Sequence, residues 1–167
     1  GRAGARTLLV EKTGRLGGTT INAAINRPGL FHAWGRQIIA GIGWYLVERT
    51  VRESGNTLPD FADTSGRHFH HQPTVDMMIY AALCDEAVTG SGAELLFHAM
   101  PGAVEQAGDG WQVTLCAKEG LLSVRTKVLI DCTGDANVVA MAGLPLRIPD
   151  ETQPATLSCR LSGYDLD

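Results

Sequence analysis

The sequence predicts an α/β chain, a doubly wound parallel sheet carrying an antiparallel β-meander. Three observations predict it. Residues 7–11 are a short, continuous apolar run, and the segment from Lys127 carries Val128, Leu129 and Ile130 together, the pattern of buried parallel strands rather than of half-exposed ones. A helix with one apolar face, from Thr74 onward, leads into a further strand at 94–98. Between that strand and the run at 127 lie three alternating segments separated by glycine turns.

In chain order, the strand at 7–11 ends in Glu11 and enters a glycine-rich loop over 12–20. Residues 22–73 read as a largely irregular insertion. Within it a helix is expected over 38–53, weakened early by Gly41 and Gly43, which cost ~1 kcal/mol each against alanine. A polar stretch rich in Pro and His follows over 56–73. Thr74 is the expected N-cap of the next helix, with Val75, Met78, Ile79, Ala82, Leu83 and Val88 on one face. Gly90 and Gly92 stop it. The meander is expected over 102–127, with turns at Gly108–Gly110 and Glu119–Gly120. The run at 127–133 then turns at Gly134 into a helix over 136–142, which Gly143 and Pro145 end. A final strand is expected at 155–162.

Composition narrows the function. The 167 residues carry 14 basic and 18 acidic side chains, a net charge of −4, with no basic run or stripe that nucleic acid would need. Uncharged stretches such as 16–26 and 37–47 are too short to span a membrane. Four cysteines, at 84, 116, 132 and 159, lack C-x-x-C spacing, so reduced, buried thiols of a cytoplasmic protein are expected. Twenty glycines exceed the average share of roughly 7%, and ten of them fall in the first 55 residues. Both ends read as internal to a longer chain.

Three places carry chemistry. A carboxylate at a strand end, such as Glu11, accepts hydrogen bonds from two neighbouring ribose hydroxyls at once. Otherwise it is a solvated acid. Gly14, Gly17 and Gly18 let backbone amides approach a pyrophosphate, with Lys12 and Arg15 adding charge, or they simply turn the chain. Thr133, Gly134 and Asp135 place amides and an acid at the carboxyl edge of the sheet, where open α/β folds bind ligands. Asp135 also suits a helix cap. The H-x-H-H run at 68–71 has no carboxylate or cysteine at ligand spacing, so no metal is expected.

Together the order E-K-x-G-x-L-G-G, helix, strand, meander, then I-D-C-T-G-D-A-N-x-x-A-x-A-G, resembles FAD-dependent oxidoreductases of the glutathione-reductase-like flavoprotein superfamily. The stretch T-Q-P-A-T-L at 152–157 is similar to that group's T-Q-P-x-T-L. The resemblance runs from residue 4 to about 164. It implies a Rossmann-like FAD-binding domain whose first βα unit, with its G-x-G-x-x-G loop, is missing, the residues Gly1 to Gly4 ending the helix after that loop. It implies that FAD's ribose lies on Glu11, its pyrophosphate along Gly17 and Gly18, and its ribityl region at Gly134 and Asp135. The strand at 94–98 would lead to the adenine, where Pro101 has no N–H to offer. It also implies that this chain alone holds FAD weakly.

Arg27, His32 and Gln37 are the candidate substrate-pocket residues, with Trp34 as the anchor of their loop. The activity implied is hydride transfer between FAD and a small organic substrate. Two other readings remain at this stage: a dehydrogenase using NAD(P) alone, and a non-catalytic module without cofactor.

Overall fold

The computed structural model describes every residue except 64, 153, 160–162 and 164–167. The described residues fall into two compact units. The first takes Gly1–Thr7, Arg15–Glu94 and the described residues from Thr156 onward; the second takes Leu8–Gly14 and Leu95–Ala155.

The first unit is built on two helices. After the short helix α1 (Thr19–Asn22) and a small hairpin, β2 (His32–Ala33) with β3 (Arg36–Gln37), comes α2 (Ile42–Glu53). Its buried face is Leu46, Val47, Thr50 and Val51, neighbours at helical spacing. Thr50 is fully buried, and its hydroxyl donates to the Leu46 carbonyl at 2.7 Å, so burial leaves no polar atom orphaned there. A 3-10 turn (His68–His71) precedes α3 (Met77–Thr89). Val47, Val51 and Val75 form the core, with Phe31, Trp44, Leu58 and Tyr80 around it. Arg49 joins the helices, donating to both carboxylate oxygens of Glu86 at 2.8 and 3.0 Å and to Glu53 at 2.6 Å.

Three expectations fail in this unit. Thr74 does not cap α3; Asp76 does, accepting from Met78 N at 2.9 Å and Ile79 N at 3.0 Å. Val75 lies before the helix, tied by its amide to the Asn26 carbonyl at 2.9 Å. The buried residues of α3 are Ala81, Leu83 and Cys84, because this helix is apolar nearly all round and its pattern does not choose a side. Trp34 is not the anchor of its loop, for it is 68% exposed. Trp44 takes that place, its ring 5.4 Å from Phe31 and 4.7 Å from His32.

The second unit is mostly sheet. β1 (Leu8–Glu11) lies beside β4 (Glu94–Phe97). The two run the same way, since Glu94 N bonds Thr7 O and His98 N bonds Thr13 O. β5 (Ala99–Ala107), β6 (Gly110–Ala117) and β7 (Gly120–Thr126) form the antiparallel meander, with Val104 opposite Val113 and Val113 opposite Val124. β5 starts earlier than the expected 102 because a register shift between Pro101 and Ala103 accommodates the proline, which has no ladder hydrogen bond to give. Val104, Val113, Leu115 and Val138 of α4 (Asn137–Met141) form the core, and Val10, Leu96 and Leu129 pack against it.

The run at 127–133 is not a strand. Only Leu129 reaches the core, while Val128 and Ile130 are 72% and 77% exposed. No strand pairs with it among the described residues, so a sequence suited to a buried strand lacks the ladder that would make it one. Residues 155–159 form no strand either, and the rest of that expected element, like Gln153 of the T-Q-P stretch, lies outside the described residues. Of the four free cysteines only Cys84 is buried; 116, 132 and 159 are exposed, against the expected burial.

Candidate functional site

The second unit holds Glu11, Lys12, Gly14, Thr133, Gly134 and Asp135. Val10 and Leu129 pack on one core, so the segments ending in Glu11 and Asp131 leave the same apolar base. Each then makes the same turn. One oxygen of Glu11 accepts from Thr13 twice, from the amide at 2.7 Å and the hydroxyl at 2.8 Å. One oxygen of Asp131 accepts from Thr133 twice, at 2.8 and 2.7 Å. The turns then differ. The second oxygen of Asp131 accepts from Val139 N at 3.0 Å, so both of its oxygens are engaged within the turn and helix that follow. The second oxygen of Glu11 has no partner among the described residues.

Asp131 is the residue that sequence reasoning missed. Its signal was the repeated spacing, E-K-T at 11–13 and D-C-T at 131–133. The Thr133 amide, then its hydroxyl and the Val139 and Val138 amides, hold the Asp131 carboxyl below its ordinary pKa. Asp135, expected to serve also as a cap, does not cap α4. The N-cap is Ala136, without a side-chain cap bond, and Thr133 Oγ1 accepts the first helical amide, Asn137 N, at 2.9 Å. Asp135 makes no hydrogen bond or ion pair among the described residues.

The glycines divide by what stands over them. A Cβ on Gly14 would meet the His98 ring, and one on Gly17 would collide with Ile21. Gly18 and Gly134 have φ of +51° and +87°, and nothing lies within 4 Å of where their Cβ would be. Backbone there is open to an approaching group. Lys12 is exposed, as is Arg15. Arg15, Gly17 and Gly18 belong to the first unit.

The three pocket candidates also lie in the first unit and are not gathered into one pocket. Arg27 lines a cavity of about 360 Å³ with Thr57, His70, Gln72 and Thr74, and its Nε donates to Thr74 Oγ1 at 3.2 Å. His32 stacks on Phe61 with ring centres 3.7 Å apart. Burial, and to a smaller extent the charge of His71, lower its pKa. Gln37 pairs with His32 across the hairpin, but its amide donates to Ile39 O at the exposed surface. In the H-x-H-H run, His71 is buried with Nε2 2.6 Å from Asp63 O. Among the described residues no three His, Cys, Asp or Glu side chains gather as a metal site would require.

A mixed α/β chain with acid-ended segments that enter glycine turns is the type of chain that holds a nucleotide-like cofactor. The profile described as FAD dependent oxidoreductase matches residues 1–167, and the chain belongs to that family. FAD is accordingly its cofactor. No curated protein sequence matches. Solved structures with a similar fold include CabE, an aromatic hydroxylase from angucycline biosynthesis, at 19% identity and a TM-score of 0.52. They also include OxyS, the anhydrotetracycline hydroxylase of Streptomyces rimosus, at 21% identity and a TM-score of 0.53. The similarity covers 84% and 83% of this chain but only 28% and 29% of those chains. Among the described residues no helix is long and apolar enough to cross a membrane.

Proposed function

We propose that the protein is a flavoenzyme that transfers a hydride between FAD and a small organic substrate in the cytoplasm. In this reading residues 1–167 belong to an FAD-binding domain of the doubly wound, glutathione-reductase-like kind, with 22–73 near the substrate. The observation that carries it is the division of labour among three acids. Asp131 is taken up by two amides and the Thr133 hydroxyl, whereas among the described residues Glu11 keeps one oxygen and Asp135 both for a ligand.

FAD fits these residues. The Glu11 carboxylate, steadied by Thr13, offers its second oxygen to ribose hydroxyls. In the second unit the open backbone at Gly134 admits phosphate or ribityl oxygens without a Cβ in the way, with Gly14 shaping the first loop, Lys12 supplying charge and Thr133 fixing the second turn; in the first unit the backbone at Gly18 is open likewise, with Gly17 shaping its loop and Arg15 supplying charge. Asp135 presents acceptors to ribityl hydroxyls. The bound flavin ring supplies the hydride chemistry, and the protein supplies orientation and exclusion of water. Arg27, set in its cavity, is the residue of the three candidates best placed to hold an anionic group of a substrate.

The test is flavin absorbance of the purified protein, followed by FAD titration of Glu11→Ala and Asp135→Ala. A hydrogen bond to a charged group is worth ~1.5–3 kcal/mol, so each variant is expected to bind FAD about tenfold weaker or worse. Wild-type affinity in both variants would remove the assignment.

A further inference from the structure

We propose that Asp131 is the positioning residue of the turn at 133–135, the side chain that sets the shape in which this turn meets the cofactor. The inference rests on the reading above, that the turn touches FAD. It concerns a residue that itself has no free oxygen to offer.

The turn does not hold itself. Ala136 stands at φ 56°, ψ 35°, a left-handed conformation that a residue with a Cβ adopts only when its surroundings impose it. Gly134 is left-handed too, and among the described residues Asp135 makes no bond that would restrain it. What restrains the segment comes from either side of it. Asp131 Oδ1 binds the start of the turn through the Thr133 amide and hydroxyl. Asp131 Oδ2 binds the far end through Val139 N. Thr133 Oγ1, itself fixed by Asp131, receives Asn137 N. One carboxylate thus fixes both ends of the segment 133–139, and the amides and acid between them inherit its geometry. Its base is rigid as well, since Leu129 two residues earlier and Val138 at the far end share the core.

The comparison with Glu11 sharpens the point. Thr13 grips Glu11 as Thr133 grips Asp131, but among the described residues no amide from further along the chain closes on Glu11. The same acid-x-threonine turn therefore serves twice, once to present an acid and once to fix a loop. In the second case the presenting acid is Asp135, four residues on.

Asparagine at 131 separates the two bonds. Its amide oxygen still accepts from Thr133, but its NH2 cannot accept from Val139. Flavin-loaded wild type, Asp131→Asn, Asp131→Ala and Thr133→Val are compared by FAD titration, visible circular dichroism of the bound flavin and amide hydrogen exchange. Asp131→Asn is expected to bind FAD about tenfold weaker. Its Val139 amide should exchange faster while Thr133 stays protected, and its flavin dichroism should change. Thr133→Val should weaken FAD to a similar degree by freeing Asn137 N, which keeps the test alive if Asp131→Ala fails to fold. Faster exchange with FAD affinity and dichroism as in wild type would show a purely structural acid and overturn the proposal. Unchanged Val139 exchange in Asp131→Asn would overturn it as well. A wild type that takes no FAD removes the flavin reading together with this one; a wild type that takes FAD beside an indifferent Asp131→Asn removes this one alone.

Discussion

The imidazole of His98 occupies the space into which a side chain on Gly14 would project. A Cβ there would stand 2.8 Å from His98 Cε1 and 2.9 Å from Nε2. The glycine of the first loop thus leaves room for a ring at the end of β4. His98 is exposed and its ring can swing aside, so Gly14→Ala is expected to destabilise the protein by no more than about 1 kcal/mol. His98→Ala should relieve most of that cost. Denaturant unfolding of both single variants and the double variant measures the coupling, and strict additivity would show that the ring is not the obstacle.

The sequence suggests Thr74 as the cap of α3, and the structure gives that role to Asp76, whose carboxylate receives the Met78 and Ile79 amides. Asp76→Ala is expected to cost about 1 kcal/mol of stability through the lost cap. Thr74→Ala should leave α3 intact, since the Thr74 hydroxyl accepts from Arg27 and caps no helical amide among the described residues. Urea unfolding monitored by helical circular dichroism ranks the two; equal losses would contradict the assignment.

What the sequence made legible follows from how local each signal is. The meander was readable because alternation and turn glycines lie within a few residues of one another, as Gly108 and Gly120 do. β1 and β4 were readable as short apolar runs. The run at 127–133 looks identical by that criterion, yet Val128 and Ile130 face solvent, because a strand also needs a neighbour, and apolar content does not report one. Trp34 and Trp44 are equally hydrophobic; only the packing of Phe31, His32 and Phe61 selects Trp44. Among the candidate residues, Glu11 and the turn at 133–135 were proposed from chain order, whereas Asp131 passed as the end of a strand. Its role depends on Val139, eight residues away, a contact that no periodicity encodes.

The cysteines provide a test of burial. Desolvation pushes the Cys84 thiol up to about 11, with the charge of Asp85 adding to the rise and the Tyr80 hydrogen bond opposing it. About one part in a thousand is then thiolate at pH 8, and the thiolate is the reactive form. Cys116, Cys132 and Cys159 are exposed. A thiol reagent at pH 8 should label these three quickly and Cys84 only on unfolding. Peptide mapping identifies the sites, and rapid native labelling at Cys84 would refute its burial.

Asp131 also sets an acid limit. Its pKa in the fold lies below the ordinary value, chiefly through the Thr133 amide. For a carboxylate depressed on folding, the stabilisation is complete above the unfolded-state pKa, near 4, and is lost as pH falls through the folded value. Asp131→Asn carries no such titration. The stability gap between wild type and Asp131→Asn should therefore stay flat from about pH 7 to about pH 5 and close as pH drops below about 4. Other acids with lowered values, Asp63 and Glu86, lose stabilisation in the same direction but are present in both proteins, so they cancel in the difference. Urea unfolding of the pair across this range measures the gap, and a gap that persists unchanged at the acid end would mean that the ionised carboxylate is not what holds Val139.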